Sequence, residues 1–285
     1  MGQIKIKKTK VPNRKINNQI VLISDIHYND KSDQVKLNNV LKAINTLNPD
    51  YIWILGDICD QAKILDEDIL ITWLTQLAKI TTVIVVYGNH DIALYDNGTC
   101  YINDKLFNKI KKIKNLYLLD NQLLTINNIC FVGLKLDYKY YYDTKEDPEE
   151  FIKHYNRIVN SLDPNTYNII LSHSPIALTK KGTLLKLNDY SNIDLILCGH
   201  MHGGMIPNLL RPIFKTTGLI GPSKRGLFIK NAYGCFKVND ISFVVSSGIT
   251  KLSKVSKINF LDNFFGPEVF LIEVQTDDFD KYNKK

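Results

Sequence analysis

The chain has 285 residues, 45% apolar and 23% charged, the composition of a folded globular protein and not of a disordered or fibrous one. No run of about 18 apolar residues occurs and the start MGQIKIKKTK has no apolar core, so neither a transmembrane helix nor a signal peptide is expected. Six cations without an acid (Lys5, Lys7, Lys8, Lys10, Arg14, Lys15) supply most of the +7 net charge and leave +1 for the other 270 residues, which removes pI as an argument for nucleic-acid binding, and no specific nucleic acid is expected as a partner.

In chain order, the basic start reads as an edge strand whose lysines block aggregation, or as a contact with an anionic membrane or envelope polymer. IVLIS (20–24) is a short apolar run of the kind buried on both faces of a sheet. Residues 33–47 place Leu37, Val40, Leu41, Ile44 and Leu47 on one face of a helix that Pro49 stops. YIWIL (51–55) is a second buried strand. A second amphipathic helix is expected over 66–79, with Asp66 as N-cap. VIVVY (83–87) is a third strand, and crossovers of this length imply β-α-β-α-β with parallel strands. A short helix over 103–113 leads to NLYLL (115–119), and LLTI-NN-ICFVGL reads as a hairpin with an Asn-Asn turn. A helix over 148–163 and buried strands at 167–172 and 193–199 follow. The tail segments GLFIK, CFKV, ISFVVS and EVFLIEV look like a closing antiparallel set. The fold class expected is α/β, one domain over 1–285 formed as a two-sheet β sandwich flanked by helices. Its chemistry-bearing motifs lie within 25–204, and 205–285 supplies a substrate loop and the closing strands.

Five segments, each directly after a predicted strand, contain nearly every side chain a metal site needs: Ser24-Asp25-Ile26-His27, Gly56-Asp57-Ile58-Cys59-Asp60, Gly88-Asn89-His90-Asp91, Ser172-His173-Ser174-Pro175 and Gly199-His200-Met201-His202-Gly203-Gly204. Open α/β sheets bind ligands at the carboxyl ends of their strands, so the five can converge. Each alone has a plainer reading as a turn or a satisfied core histidine. Together they hold five of the six histidines, and the sixth, His154, falls inside a helix. Imidazole, carboxylate and amide donors without thiolate suit Mn, Fe or Zn and argue against a structural cysteine-zinc site. The five cysteines are scattered without a CxxC pair, which fits free, mostly buried thiols.

The order D-x-H, G-D-x-x-D, G-N-H-D, H before Pro and G-H-x-H-G-G resembles the calcineurin-like metallophosphoesterase superfamily. The long loop after the last motif and the final V-S-S-G-I resemble its bacterial YkuE- or YaeI-type phosphohydrolase branch. The resemblance implies two divalent metal ions. It assigns Asp25, His27 and His202 to the first, Asn89, His173 and His200 to the second, and Asp57 to a bridge between them. It makes His90 the catalytic histidine near the leaving group and Asp91 the carboxylate that orients it. Asp60 reads as a residue that orients the turn or a ligand histidine. Met205 departs from the branch, which often has Gln there. The implied reaction is hydrolysis of a phosphoester, read as a phosphodiester, by hydroxide bridging the metals with His90 assisting. A pyrophosphatase acting on a nucleotide-linked sugar or lipid is the alternative, and a non-catalytic scaffold on the same fold is a third reading.

Specificity is expected from loops 92–104, with Tyr95 and Asn97, and 205–225. In the latter, Arg211, Lys215, Lys224 and Arg225 are candidates for a second phosphate or an acidic head group, and Met205, Ile206, Leu209, Leu210, Ile213 and Phe214 favour a lipid-bearing substrate. Peripheral membrane association is thus a candidate beside a phosphate-ester small molecule or lipid as partner. Free cysteines favour the cytoplasm, the basic start favours a membrane or envelope location, and both stay open, as does the oligomeric state.

Overall fold

A computed structural model describes residues 4–13, 15–60, 64–92, 103–137, 149–175, 191–202, 233–238, 241–250 and 267–276. Its first layers follow the expected alternation. Strands β1 (Lys5–Asn13) and β2 (Asn18–Ile23) lead through a 3-10 turn at Lys31–Asp33 to α1 (Gln34–Leu47) and β3 (Tyr51–Leu55). Then come α2 (Glu67–Ile80), β4 (Thr82–Val86), α3 (Asn89–Ile92), α4 (Asp104–Ile110) and β5 (Leu116–Leu119). The second half runs β6 (Gln122–Ile126), β7 (Ile129–Leu134), α5 (Glu149–Val159), β8 (Tyr167–Ser172), β9 (Leu195–Cys198), β10 (Gly234–Val238), β11 (Ile241–Val245) and β12 (Glu268–Thr276).

Two six-stranded sheets result, in the orders β1-β12-β2-β3-β4-β5 and β10-β11-β9-β8-β7-β6. Side chains alternate across each strand, so one face of each sheet meets the other sheet. Leu22, Trp53, Leu55, Ile84 and Val86 of the first sheet and Phe131, Ile169, Leu171, Leu197 and Val244 of the second share one buried cluster. The intervening residues, such as Val21, Ile52, Ile54, Val83 and Val85, pack instead with Leu37, Val40, Ile44, Leu70 and Leu74 of α1 and α2. The architecture is a mixed two-sheet sandwich with helices outside, as expected. Among the described residues no helix is long and apolar enough to cross a membrane.

Local chemistry explains the boundaries. Asn48 ends α1 in a left-handed conformation (φ 43°) just before Pro49, which cannot continue a helix. Asn127 and Asn128, both at positive φ (48° and 63°), form the hairpin turn between β6 and β7. Strand β1 is the edge of its sheet and is largely exposed. Cys59, Cys130 and Cys198 are buried free thiols, whereas Cys235 is exposed.

Two expectations need correction. Asp66 stands at the N-cap of α2 as expected, but it adopts φ 55° and its side chain makes no capping bond. Its carboxylate accepts instead from the Lys31 amide (3.2 Å) and its carbonyl from the Tyr28 hydroxyl (3.0 Å), so the residue ties α2 to the loop after β2. The closing strands are not one antiparallel set either. Strand β10 is antiparallel to β11, but β11 lies parallel to β9. Strand β12 inserts into the other sheet, parallel to β1 and antiparallel to β2. Val269, Phe270, Leu271 and Ile272, buried on both faces, suit a position between two strands. GLFIK lies outside the described residues.

Candidate metal centre

The loops that follow β2, β3, β4, β8 and β9 meet at one end of the sandwich, and each brings one of the five motifs. Asp25, His27, Asp57, His200 and His202 all adopt positive φ, between 42° and 66°. Asp and His tolerate this region better than branched residues, yet it costs energy, and such strain clusters at functional sites. Close packing of the loops demands glycine beside them. At Gly56 (φ +74°) an added Cβ would lie 2.4 Å from the Gly88 amide, and at Gly88 it would lie 2.1 Å from Asp57 Oδ1.

The donors fall into three overlapping groups close enough to hold a metal ion: Asp25 with His27 and His202, His27 with Asp57 and His90, and Asp57 with His173 and His200. Asp57 is shared by the second and third groups, and His27 by the first and second. Asp57 Oδ2 lies 3.1 Å from His173 Nε2 and 3.6 Å from His27 Nε2, while Oδ1 accepts from the His90 amide at 2.8 Å. Asp25 Oδ1 is 3.6 Å from His202 Nε2, and its Oδ2 accepts from the His200 amide at 3.2 Å. His200 Nδ1 approaches His173 Nε2 at 3.2 Å.

Several of these atoms are buried without a hydrogen-bond partner: Asp25 Oδ1, His27 Nε2, Asn89 Oδ1 and His202 Nδ1. A buried polar atom left unsatisfied costs about 1–3 kcal/mol. Such atoms on the motif loops fit a cationic ligand, and the oxygen and imidazole donor set suits a divalent ion of the Mn, Fe or Zn kind.

Other groups aim the rings. His173 Nδ1–H donates to the Leu55 carbonyl (2.7 Å), which leaves Nε2 towards Asp57. Asp60 serves two histidines, its carboxylate lying 3.3 Å from His27 Nδ1 and its carbonyl accepting from His90 Nδ1–H at 2.6 Å. Asp91 is placed differently from the sequence expectation. Its oxygens accept from the Cys59 and Gly88 amides, at 3.0 and 2.8 Å, so it binds the second and third motif loops together. The partner of the His90 ring is the Asp60 carbonyl.

The electrostatics follow from burial and proximity. Burial opposes a charge on His173, but Asp57, with Asp25, outweighs it and pushes the pKa up to about 9. Burial, then neighbouring His173, lowers His200 to about 3, and burial lowers His202 to about 4 despite Asp25. Burial and the charge of Asp57 raise Asp91 to about 6. Asp57 is held well below the ordinary carboxylate range because the surrounding histidines, His173 first, overcome its burial.

Two contributors are not apparent from motif reading. Lys36 of α1 and Thr250 after β11 both reach the loop that carries Asp25 and His27. A lysine on the apolar stripe of a helix, four residues before Val40, was the available signal for the first; no local pattern marks the second. Arg211, Lys215, Lys224, Arg225, Tyr95, Asn97 and the apolar residues from Met205 to Phe214 lie outside the described residues.

The calcineurin-like phosphoesterase family profile matches residues 19–204. An uncharacterized metallophosphoesterase of Campylobacter jejuni is 29% identical over 205 residues, covering 72% of this chain and 49% of that protein. A bovine transmembrane protein with a metallophosphoesterase domain is 26% identical over 230 residues, covering 74% and 45%. The UDP-2,3-diacylglucosamine pyrophosphatase LpxG of Chlamydia muridarum is 26% identical over 257 residues, covering 74% and 73%. The chain thus spans about half the length of the first two relatives. Among solved structures, TT1561 of Thermus thermophilus has a TM-score of 0.51 at 10% identity, over 83% of this chain and 92% of that one, a likeness of fold. With the five motifs meeting at the strand ends and the profile spanning all of them, the chain belongs to the calcineurin-like phosphoesterase family, hydrolases of phosphoric esters that use divalent metals.

Proposed function

We propose that this chain hydrolyses phosphodiesters with a pair of divalent metal ions. Asp25, His27 and His202 would hold one ion, Asn89, His173 and His200 the other, and Asp57 would serve both. The observation that carries this reading is a chain of three donor groups linked through His27 and Asp57, with Asp57 Oδ2 3.1 Å from His173 Nε2 and 3.6 Å from His27 Nε2, and with buried donor atoms among them that lack partners. Ions bound there supply Lewis-acid polarisation of the phosphate oxygens and acidify water.

The chain's own residues do the rest. Asp57 places negative charge where two cations would otherwise repel each other. The Leu55 carbonyl and the Asp60 carboxylate hold the rings of His173 and His27 in one orientation. The Asp60 carbonyl occupies His90 Nδ1–H, so it is the doubly protonated ring that gives its Nε2 proton to the departing oxygen as the P–O bond to that oxygen breaks, leaving the neutral ring with Nδ1–H still on the carbonyl. The His90 ring stands edge-on to His27, with centroids 4.6 Å apart, so it belongs to the group with His27 and Asp57 and borders the one with Asp25, His27 and His202. Asp91 acts on the loops and not on the ring.

A second reading, cleavage of a pyrophosphate in a nucleotide-linked sugar or lipid, is favoured by the two chlamydial LpxG relatives, which this chain matches over 73% of their length. Arg211, Lys224 and Arg225 would then hold the second phosphate. The discriminating experiment offers chelator-stripped protein, with and without Mn²⁺, three substrates: bis-p-nitrophenyl phosphate, p-nitrophenyl phosphate and a UDP-linked acyl sugar. Mn²⁺-dependent turnover with preference for the diester is expected. Turnover confined to the UDP-linked substrate would replace the first reading by the second. No turnover of any, with metal bound, would refute hydrolysis.

A further inference from the structure

The segment from Ser24 to Tyr28 has an unusual set of anchors. Asp25 (φ 52°) and His27 (φ 46°) are both left-handed around Ile26, a backbone that persists only where its surroundings over-determine it. Its amides are held by the Asp57 loop: Asp25 donates to the Gly56 carbonyl, His27 to Asp57 and Tyr28 to Ile58, at 2.8–3.1 Å. Its carbonyls are held by other parts of the chain. Ser24 and Asp25 accept from the Ile249 and Thr250 amides at 3.0 and 3.1 Å.

Between the two donor residues, the Ile26 carbonyl receives two buried side chains. Lys36 Nζ donates at 2.6 Å and Thr250 Oγ1 at 2.7 Å. The same ammonium lies 3.4 Å from the His27 carbonyl and 3.0 Å from Asp33 Oδ1. Asp33 in turn accepts from the Asn29 amide at 2.9 Å. Lys36 is 1% exposed, while its neighbour Val35 is 57% exposed. Helix α1 therefore turns an ammonium inward and an apolar side chain outward. Burying a charge is costly unless it is paired and hydrogen-bonded; here the Asp33 carboxylate supplies the pairing, and the carbonyls that complete it belong to the loop of Asp25 and His27. The Asp57–His173–His200 group shares part of this frame, because the His27 amide donates to the Asp57 carbonyl and the His200 amide to Asp25 Oδ2, but it has two further anchors that neither Lys36 nor Thr250 touches, the His90 amide and the Leu55 carbonyl.

Resting on the two-ion reading above, we infer that Lys36 and Thr250 are positioning residues for one half of the site. They hold the Ile26 carbonyl so that Asp25 and His27 face His202, and they act on the affinity of that group for its ion more strongly than on that of the Asp57–His173–His200 group, which has the His90 amide and the Leu55 carbonyl as anchors of its own. Neither touches substrate or ion.

The test is Mn²⁺ titration of chelator-stripped full-length protein, followed by calorimetry and by the electron paramagnetic resonance of free Mn²⁺. Wild type is expected to bind two ions. Lys36→Met is expected to weaken one ion by about 10–100-fold, the usual effect of losing an outer-shell partner, and the other markedly less. Thr250→Val shifts the same ion less, because Lys36 still meets the Ile26 carbonyl, and it carries the test alone if Lys36→Met does not fold. In a His202→Ala background, which disables the first group, adding Thr250→Val shifts the remaining ion's affinity markedly less than Thr250→Val alone shifts that of the first group's ion. Two ions bound at wild-type affinity by both variants would overturn the inference. So would equal weakening of both ions in step with a lowered melting temperature of the metal-free protein, which would mark a merely structural role. Wild type that binds fewer than two ions would instead overturn the two-ion reading itself, and this inference with it.

Discussion

Replacing Asp57 with Asn should change how the metal-free protein responds to pH. Burial alone would keep His173 neutral, but Asp57, 3.1 Å from Nε2, reverses that and raises the pKa from 6.5 to about 9. A raised pKa means that the folded state holds a proton the unfolded state has released. Its stabilisation is therefore complete below pH 6.5 and is lost as pH climbs through about 9. At about 1.4 kcal/mol per unit, the loss over this window is on the order of 3 kcal/mol. His27, which burial would lower but Asp60 and Asp57 raise, adds in the same direction. In Asp57→Asn the opposing charge is gone and burial prevails, so His173 stays neutral and most of the decline disappears. Urea denaturation of chelator-stripped wild type and Asp57→Asn, from pH 6 to 9.5, measures this. A wild-type protein whose stability is flat between pH 6.5 and 9, or a variant with the same decline, would refute the assignment of that charge pair.

On the acid side the sign reverses. His200 and His202 have pKa values lowered to about 3 and 4, so stability is intact above pH 6.5 and falls by up to about 1.4 kcal/mol per unit per histidine as pH drops towards 4; His200→Gln should make this acid limb shallower in the same urea series. Gly248→Ala should be destabilising by about 2–4 kcal/mol, because φ is +87° and the new Cβ would lie 2.6 Å from the Asp25 Cβ. Gly234→Ala, with φ +88° but only Lys7 Nζ at 3.7 Å, should cost about 1 kcal/mol, and equal losses for the two would contradict the crowding argument. His90→Asn should retain bound metal while turnover on an alkyl phosphodiester falls by about 10²–10⁴-fold, with a smaller loss on p-nitrophenyl esters; unchanged alkyl turnover would remove the proton-delivery role.

The motifs were legible because strand-end chemistry is local. Gly56, Gly88 and Gly199 announce close approach, and although a polar residue after one of them reads as a turn, five such segments holding five of the six histidines do not. Apolar runs such as YIWIL specify burial on both faces and so a central strand. What the sequence hides depends on contacts between residues far apart in the chain. Asp91 adjoins His90 in sequence, yet a short helical turn carries its carboxylate to the Cys59 and Gly88 amides, and the carbonyl of Asp60, 30 residues away, meets the ring instead. Nothing in EVFLIEV says that β12 enters the first sheet and not the second, because both slots are buried on two faces. Lys36 reads as a helix surface residue until Ile26, His27 and Asp33 are seen around it. Asp66 has the residue type of a cap, but its side chain is engaged by Lys31.

Anomalous diffraction from crystals of the Mn²⁺-loaded protein tests the shared-carboxylate site most directly. Two peaks are expected, one among Asp25, His27 and His202 and one among Asn89, His173 and His200, with Asp57 contacting both. A single peak, or a pair of which Asp57 touches only one, would contradict it.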